Sequence, residues 1–528
     1  MKPLSLLSIL LPLVLAASAK ASEKPNIVVI IADDLGYADL AFLPQAPEDV
    51  KKLGTPGFDR LAKTGTYFSN AYGTSPICSP SRAGLITGRY QQRWGNYWYS
   101  EGGLPDRELT IPEALKSVGY TTAKYGKTHL NGGPKEFPTL HGFDEFLGFM
   151  NHTWDYIRLN EKDVEAYKAR KNFKTFGKTQ ILGPMVKAVG AGKKSADADP
   201  VSYENGFTTR IFTDEAVEFI KRDKGEKPFY LHVAHNAVHM PTYVVEKSWA
   251  EKVGARFVPW NREADKWGFP YWEPDEEPMN VFHKKWGHMG EIDKDGRRCY
   301  LANLLALDHS IVRILDALED TNQRMNTLVI FVSDNGGTIN TYADNTPLNG
   351  WKYMFGEGGI RIPFLISMPG TLPEGQINKD AIVSTMDIFP TAVDLAGMTI
   401  PENLDGKSLL PLLRGEKKSH HDMVVWAKNR NSWVIRKGKW KLTNNVPWNH
   451  RSFKILPNGD AADGDEEYQY SGDPQLFDLE NDIGETTNLI TEHPQVAKDL
   501  RNAYEAWDKQ MPGPLTNTGK PKGKKKPK

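Results

Sequence analysis

Cysteine is nearly absent. The 528-residue chain contains two, Cys78 and Cys299, so a fold stapled by several disulfides is excluded and at most one bridge, between these two, can form. An excess of charge of one sign is also lacking: 66 basic residues face 66 acidic ones. Nothing global therefore argues for a nucleic-acid or membrane-surface partner. After the N-terminus there is no apolar run long enough to span a bilayer, so no transmembrane segment is expected. No repeat of fixed period is evident, which excludes solenoids and propellers.

What is present begins with an N-terminal leader. Lys2, the apolar run Leu4 to Leu15 and small residues around Ala17-Ser18-Ala19 and Ala19-Lys20-Ala21 read as a signal peptide over residues 1–21, which implies export to a periplasm or beyond the cell. The mature chain has the length and apolar share to bury a large core. Its buried strands are legible as continuous β-branched runs: Ile27 to Ala32, Tyr120 to Tyr125, Pro228 to Ala234, Asn326 to Val332 and Ile362 to Met368. Helical spacing lies between them at Phe58 to Thr64, Ile111 to Val118, Thr209 to Lys221 and Leu301 to Leu318. Such alternation predicts an α/β fold with a mostly parallel sheet flanked by helices. From about Asp422 the texture changes to a hairpin pattern around Lys437-Gly438, a further strand at Gln475 to Leu479 and an amphipathic helix from about Gln495 to Gln510. We read a catalytic unit over residues 22–421, a smaller α+β antiparallel-sheet subdomain over 422–515 and a basic tail over 516–528. Residues 242–298, rich in Trp, Pro and charge, read as an insertion over the site, with Trp249, Trp260, Trp267, Trp272 and Trp286.

Chemistry-bearing residues collect at strand ends. Asp33-Asp34 follow the first strand and Asp334-Asn335 a later one. Two adjacent carboxylates after a buried strand are costly unless neutralised, and in open α/β sheets sites form at the carboxyl ends of strands. An all-oxygen set suits a hard cation such as Ca2+ or Mg2+, provided the two strands are neighbours. Arg82, Lys127, His129, His239 and Lys352 add cationic and proton-carrying groups, a set able to hold a sulfate-like or phosphate-like anion.

The run SPICSPSRAGLITGRY, with Cys78, Pro80, Ser81, Arg82 and the following LITGR, resembles the signature of the type I sulfatases, in which such a cysteine is oxidised to formylglycine. Asp-Asp-Leu-Gly, Gly-Lys-x-His, His-x-Pro, Ser-Asp-Asn-Gly and a Lys before Glu-Gly-Gly-x-Arg-x-Pro follow that family's order over about residues 25–370. Phe477-Asp478-Leu479 with Gly484-Glu485 and Asn488-Leu489 resembles its C-terminal part. Two positions depart from its pattern: Thr128 stands where Trp is usual, and Val238 where Pro often precedes the histidine.

The resemblance implies an alkaline-phosphatase-like sheet and a sulfate-ester hydrolase. Cys78 becomes formylglycine, made by a formylglycine-generating or anaerobic maturase, and its hydrate supplies the nucleophile. Asp33, Asp34, Asp334 and Asn335, with the modified Cys78, hold the cation, Ca2+ or Mg2+. Arg82 and Lys127 orient the hydrate, Lys127 and Lys352 bind the sulfate group, His239 protonates the leaving alcohol and His129 takes a proton from the hydrate. His152 and Asp155 are candidates for the substrate pocket. A sulfated carbohydrate, an algal galactan such as carrageenan or a glycosaminoglycan, is the expected substrate. The alternatives are a phosphoester or phosphonate hydrolase on the same scaffold, and a non-catalytic glycan-binding protein with Cys78 unconverted.

Overall fold

The computed structural model describes residues 24–98, 103–130, 133–150, 157–158, 185–201, 203, 206–223, 227–240, 242, 244–257, 293–446, 453–463 and 473–515. The leader at 1–21, His152, Asp155, Trp260, Trp267, Trp272, Trp286 and the tail at 516–528 lie outside the described residues.

Ten strands form the main sheet: β1 (Asn26–Ala32), β2 (Thr66–Phe68), β3 (Thr121–Lys127), β4 (Glu145–Phe149), β5 (Met185–Val189), β6 (Asp199–Val201), β7 (Phe229–Ala234), β8 (Thr327–Ser333), β9 (Phe364–Ser367) and β10 (Gln376–Asn378). Their order across the sheet is β10-β2-β9-β8-β1-β7-β3-β4-β5-β6. The centre, β8-β1-β7-β3-β4, is parallel throughout. Antiparallel pairings join β8 to β9, β9 to β2, β4 to β5 and β5 to β6. The sheet is thus mixed at its flanks.

All seven residues of β1 are buried, as a strand covered on both faces requires. Val28 and Ile30 face one core together with helices α1 (Pro56–Lys63), α4 (Thr208–Asp223) and α6 (Gly296–Asp320). Ile27, Val29 and Ile31 face a second core with α2 (Cys78–Thr87), α3 (Ile111–Lys116) and α7 (Ile388–Leu395). The period-two alternation of side chains along a strand produces both layers from one sequence run. The start of α3 carries a capping box between Thr110 and Glu113, with Pro112 in its first turn, and this fixes the helix entry.

Two boundaries differ from the sequence reading. Helix α6 begins at Gly296, inside the span read as insertion. Helix α5 (Lys247–Val253) is tied back to α6: Ala250 and Val245 share a buried cluster with Cys299 and Ala302, and Trp249 packs on His309. The described flanks of that span are therefore parts of the core layer, because their apolar residues find partners on α6.

Met423–Asn429, Ser432–Lys437, Trp440–Asn444 and Gln475–Asp478 form the four-stranded antiparallel sheet β11 to β14. The last helix, α8 (Pro494–Asp508), packs one face of it, with Tyr504 stacked on Trp433 at 3.8 Å. The other face shares a cluster with Tyr72, Phe355 and Ile360 of the main unit. Among the described residues, no helix is long and apolar enough to cross a membrane.

Candidate active site

Strands β1 and β8 lie side by side in parallel, with Ala32 opposite Ser333. Asp33-Asp34 and Asp334-Asn335 therefore leave the sheet at the same edge, the neighbourhood that an all-oxygen set required. Ser333 holds the two ends together: its Oγ accepts from Leu35 N at 3.0 Å and donates to the Asn335 carbonyl at 2.7 Å. Successive residues of a strand point to opposite faces. Asp34 escapes this by adopting φ 59°, and both carboxylates then turn toward one thiol: Cys78 Sγ lies 3.5 Å from Asp33 Oδ1 and 3.9 Å from Asp34 Oδ1.

Cys78 is the first residue of α2, and every residue of that helix is buried. Pro80 is tolerated in the first turn, where it removes no intrahelical bond. Gly84 permits close approach: a Cβ there would stand 2.4 Å from Thr74 Oγ1. Gly88 ends the helix at φ 65° and donates to the Gly84 carbonyl, the usual work of a C-terminal glycine. Ser81 Oγ donates to the backbone carbonyl of Asp334 at 2.5 Å, and Arg82 Nε to its carboxylate at 2.8 Å. The helix is thus bolted to the end of β8.

The remaining cations close around these acids. Lys127, the last residue of β3, is fully buried and paired with Asp33. The sheet ladder runs through Lys127 itself, two residues beyond the strand end read from sequence. Lys352 taken alone reads as a surface lysine; it is 3% exposed and donates to Asp34 Oδ2 at 2.8 Å. His239 Nε2 lies 3.6 Å from Asp34 Oδ2, while its Nδ1 is 2.8 Å from the Met240 carbonyl. The loop carrying it is pinned by reciprocal backbone bonds between Asp33 and the Ala237-Val238 segment, each 2.9 Å. His129 adopts φ 48°, and its N–H donates to the Met150 carbonyl.

Burial pushes the Asp33 carboxyl up, but Lys127, His239 and Arg82 together overcome it and hold it well below the usual carboxylate range. Asp34 rises: burial and the neighbouring Asp33 outweigh Lys352. Burial lifts Asp334 to about 6 against the pull of Arg82. Both histidines fall well below the usual imidazole range, through burial first and then the nearby lysines. Burial also raises the Cys78 thiol well above its ordinary value, with Asp334 and Asp33 adding to the effect. An unmodified Cys78 is therefore a poor nucleophile, since the thiolate is the reactive form. Cys78 and Cys299 are both free and buried, so the disulfide that the cysteine count allowed is absent.

Asp33, Asp34, Cys78 and His239 bring one donor atom each within 4.8 Å of one another. Asn335 Nδ2 donates to Asp34 Oδ1 at 2.8 Å, whereas its Oδ1 is buried without a hydrogen-bond partner. An orphaned carbonyl oxygen among three buried carboxylates is costly as it stands and fits a hard oxygen-seeking cation. Ten of the residues read from sequence thus converge on one strand-end cluster. Ser81 lay within the quoted motif and Ser333 directly before Asp334, yet neither carries a charge or a metal donor that would have marked its stapling role.

The sulfatase family model matches residues 25–398. This chain belongs to the sulfatase family. The sulfatase is a sulfuric ester hydrolase by that membership. It is 28% identical to the N-acetylgalactosamine-6-sulfatase of Canis lupus familiaris over 495 residues, 89% of this chain and 82% of that protein. It is also 28% identical to a sulfatase of Formosa agariphila over 555 residues, 94% and 91% of the two chains. The crystal structure of Ps i-CgsB in complex with k-i-k-neocarrahexaose superposes with a TM-score of 0.69 at 28% identity, covering 93% of this sulfatase and 94% of that chain.

Proposed function

We propose that the sulfatase removes sulfate from a sulfated carbohydrate, with formylglycine at position 78 and a divalent cation. The observation that carries this reading is the convergence of Asp33, Asp34, Asp334 and the partnerless Asn335 Oδ1 on Cys78, a cysteine whose own thiol is disfavoured as a nucleophile.

Asp33, Asp34, Asp334 and Asn335 would hold the cation, Ca2+ or Mg2+, with residue 78 completing the set. The cation would polarise the sulfate group, and the aldehyde hydrate at residue 78 would supply the attacking oxygen. The chain's own residues do the rest. Arg82, fixed on Asp334, and Lys127, fixed on Asp33, orient the group at residue 78. Lys127 and Lys352 bind sulfate oxygens and the charge that grows there. The positive end of α2, which begins at residue 78, adds to that field. His239 protonates the leaving alcohol through Nε2, since Nδ1 faces the Met240 carbonyl. Its low basicity comes from burial and Lys352, and the negative charge of a bound sulfate ester opposes both. A donor of this kind contributes about 10²–10⁴ in rate. His129 takes a proton from the hydrate so that sulfate departs.

A carbohydrate substrate is supported by the relatives named above, one an N-acetylgalactosamine-6-sulfatase and one a structure holding a neocarrahexaose. The leader read at residues 1–21 fits export, where sulfated polysaccharides are met. A maturase would act on Cys78 first. The test is expression with a formylglycine-generating system, mass analysis of the peptide bearing Cys78, and assay of sulfate release from N-acetylgalactosamine 6-sulfate and a sulfated neocarrahexaose. An aldehyde at position 78 with release from a sugar is expected. An intact thiol in active protein, or phosphate release without sulfate release, would overturn the proposal.

A further inference from the structure

Tyr353 directly follows Lys352 and is 39% exposed, although both Lys352 and the nearby Phe355 are buried. The ring centroid lies 5.5 Å from Lys352 Nζ, the ammonium that also bonds Asp34. The exposed aromatic side chain therefore stands beside the ammonium that reaches into the strand-end cluster. Its backbone is at φ 74°, a conformation uncommon outside glycine and disfavoured for a bulky residue. Such outliers persist only where surrounding structure over-determines them, and they point toward function. The surroundings here do so. Lys352 N donates to Gly337 O at 3.0 Å, Tyr353 N to Pro76 O at 2.8 Å and Met354 N to Trp351 O at 2.9 Å. Phe355 is packed against Trp98 with centroids 6.3 Å apart. Pro76 is two residues from Cys78, so one hydrogen bond ties the aromatic position to the reactive one.

We infer that Tyr353 is the platform on which the sugar bearing the scissile sulfate stacks, and hence a specificity-determining residue; this rests on the carbohydrate reading above. The electron-rich ring face complements the weakly positive C–H face of a pyranose, and the cation 5.5 Å from the ring centre draws the sulfate toward the same corner. A ring that is exposed yet held by a pinned backbone loses little freedom on binding, which favours affinity for the one orientation it presents. Substrate choice then depends on which sugar face lies next to the ester oxygen. A sugar whose sulfate projects across an apolar face would fit, and one whose axial hydroxyls point at the ring would be rejected.

The experiment compares matured wild type with Tyr353→Ala and Tyr353→Phe. Steady-state constants are measured on N-acetylgalactosamine 6-sulfate and a sulfated neocarrahexaose, whichever the wild type cleaves faster, together with the inhibition constant of inorganic sulfate. Inorganic sulfate engages the clamp but has no sugar to stack. Tyr353→Ala is expected to raise KM for the sugar about 10- to 100-fold, the range for truncating an aromatic anchor. The sulfate inhibition constant is expected to move at least tenfold less than KM, and Tyr353→Phe to restore KM. Equal movement of KM and the inhibition constant, or movement of neither, overturns the platform while the carbohydrate reading stands. A wild type that cleaves neither sugar but releases sulfate from an aryl ester overturns the carbohydrate reading and the platform with it.

Discussion

Two groups of buried charges in this sulfatase invite comparison. One is the strand-end cluster of Asp33, Asp34 and Asp334 with Arg82, Lys127 and Lys352. The other lies between the main sheet and the C-terminal sheet. There Lys441 Nζ meets Glu357 Oε1 at 2.9 Å and Glu485 Oε1 at 2.6 Å, and Glu357 Oε2 accepts from Tyr72 at 2.6 Å and from Arg361 at 3.3 Å. Lys441 and Glu357 are wholly buried. Burial of charge therefore does not mark a catalytic site. What separates the two is completion. The interface cluster pairs its carboxylates with fixed cations, and Glu485 caps the Glu357 N–H at 2.7 Å. The strand-end cluster keeps a partnerless acceptor at Asn335 and crowds Asp33 and Asp34 against Cys78. The first is built to hold two sheets together, the second to receive something.

The largest effect is expected at the reactive residue. Cys78→Ala should lower sulfate release by roughly 10³-fold or more and leave the unfolding midpoint in denaturant close to wild type, since it removes a small buried group and no ion pair. Comparable loss of stability and activity would erase the distinction between the two clusters. His239→Gln should lower kcat by about 10²–10⁴, with a smaller penalty on aryl sulfates, whose leaving groups need less protonation. Equal penalties on both substrates would remove His239 as the acid.

Lys441→Met tests the other side. Removing one partner of a buried pair costs about 3–5 kcal/mol, because Glu357 and Glu485 are left facing each other without their shared cation. Urea unfolding should show this. If sulfate release vanished while stability held, the interface cluster would belong to the site.

The smallest expected effect concerns pH. Burial lifts Glu485 to about 7 from 4.5, with Glu357 adding and Lys441 opposing. Its folded value is raised, so the folded protein holds a proton that the unfolded chain has released between about pH 4.5 and 7. Stability from this group is present below that window and is lost as pH rises through it. Glu357 runs the other way: burial is overcome by Lys441 and two arginines, its value falls to about 2, and its contribution is lost as pH drops toward it. Glu485→Gln keeps the acceptor for the Glu357 N–H and should flatten the decline across the upper window, by about 1–3 kcal/mol. An unchanged stability profile would show that Glu485 is not the group responsible.

Much of the fold was legible because β1, β7 and β8 are continuous apolar runs, which a strand covered on both faces demands. The antiparallel flanks were not, since Thr66–Phe68 and Gln376–Asn378 are too short to carry a pattern. Helix α6 starts earlier than its apolar periodicity, at Gly296, because Arg297 is neutralised by Asp39 and Asp49, remote in sequence. Of the candidate site, the charged residues and the proposed cation ligands were named from their motifs, and the structure brings them together. The stapling roles of Ser81 and Ser333 were not, and nothing in the sequence set Lys441 opposite Glu357.

The sequence by itself determined the inventory: which acids, cations and histidines follow which buried strands, and that Cys78 sits in the Cys-x-Pro-Ser-Arg run. Local chemistry is enough for that, because strand, turn and helix signals act over a few residues. Only the tertiary structure decided that β1 and β8 are neighbours, that φ 59° at Asp34 turns two adjacent carboxylates toward one thiol, and that Lys352 is buried against them. These are matters of pairing between segments some 300 residues apart, and of a dielectric environment that exists only once the chain has closed around them.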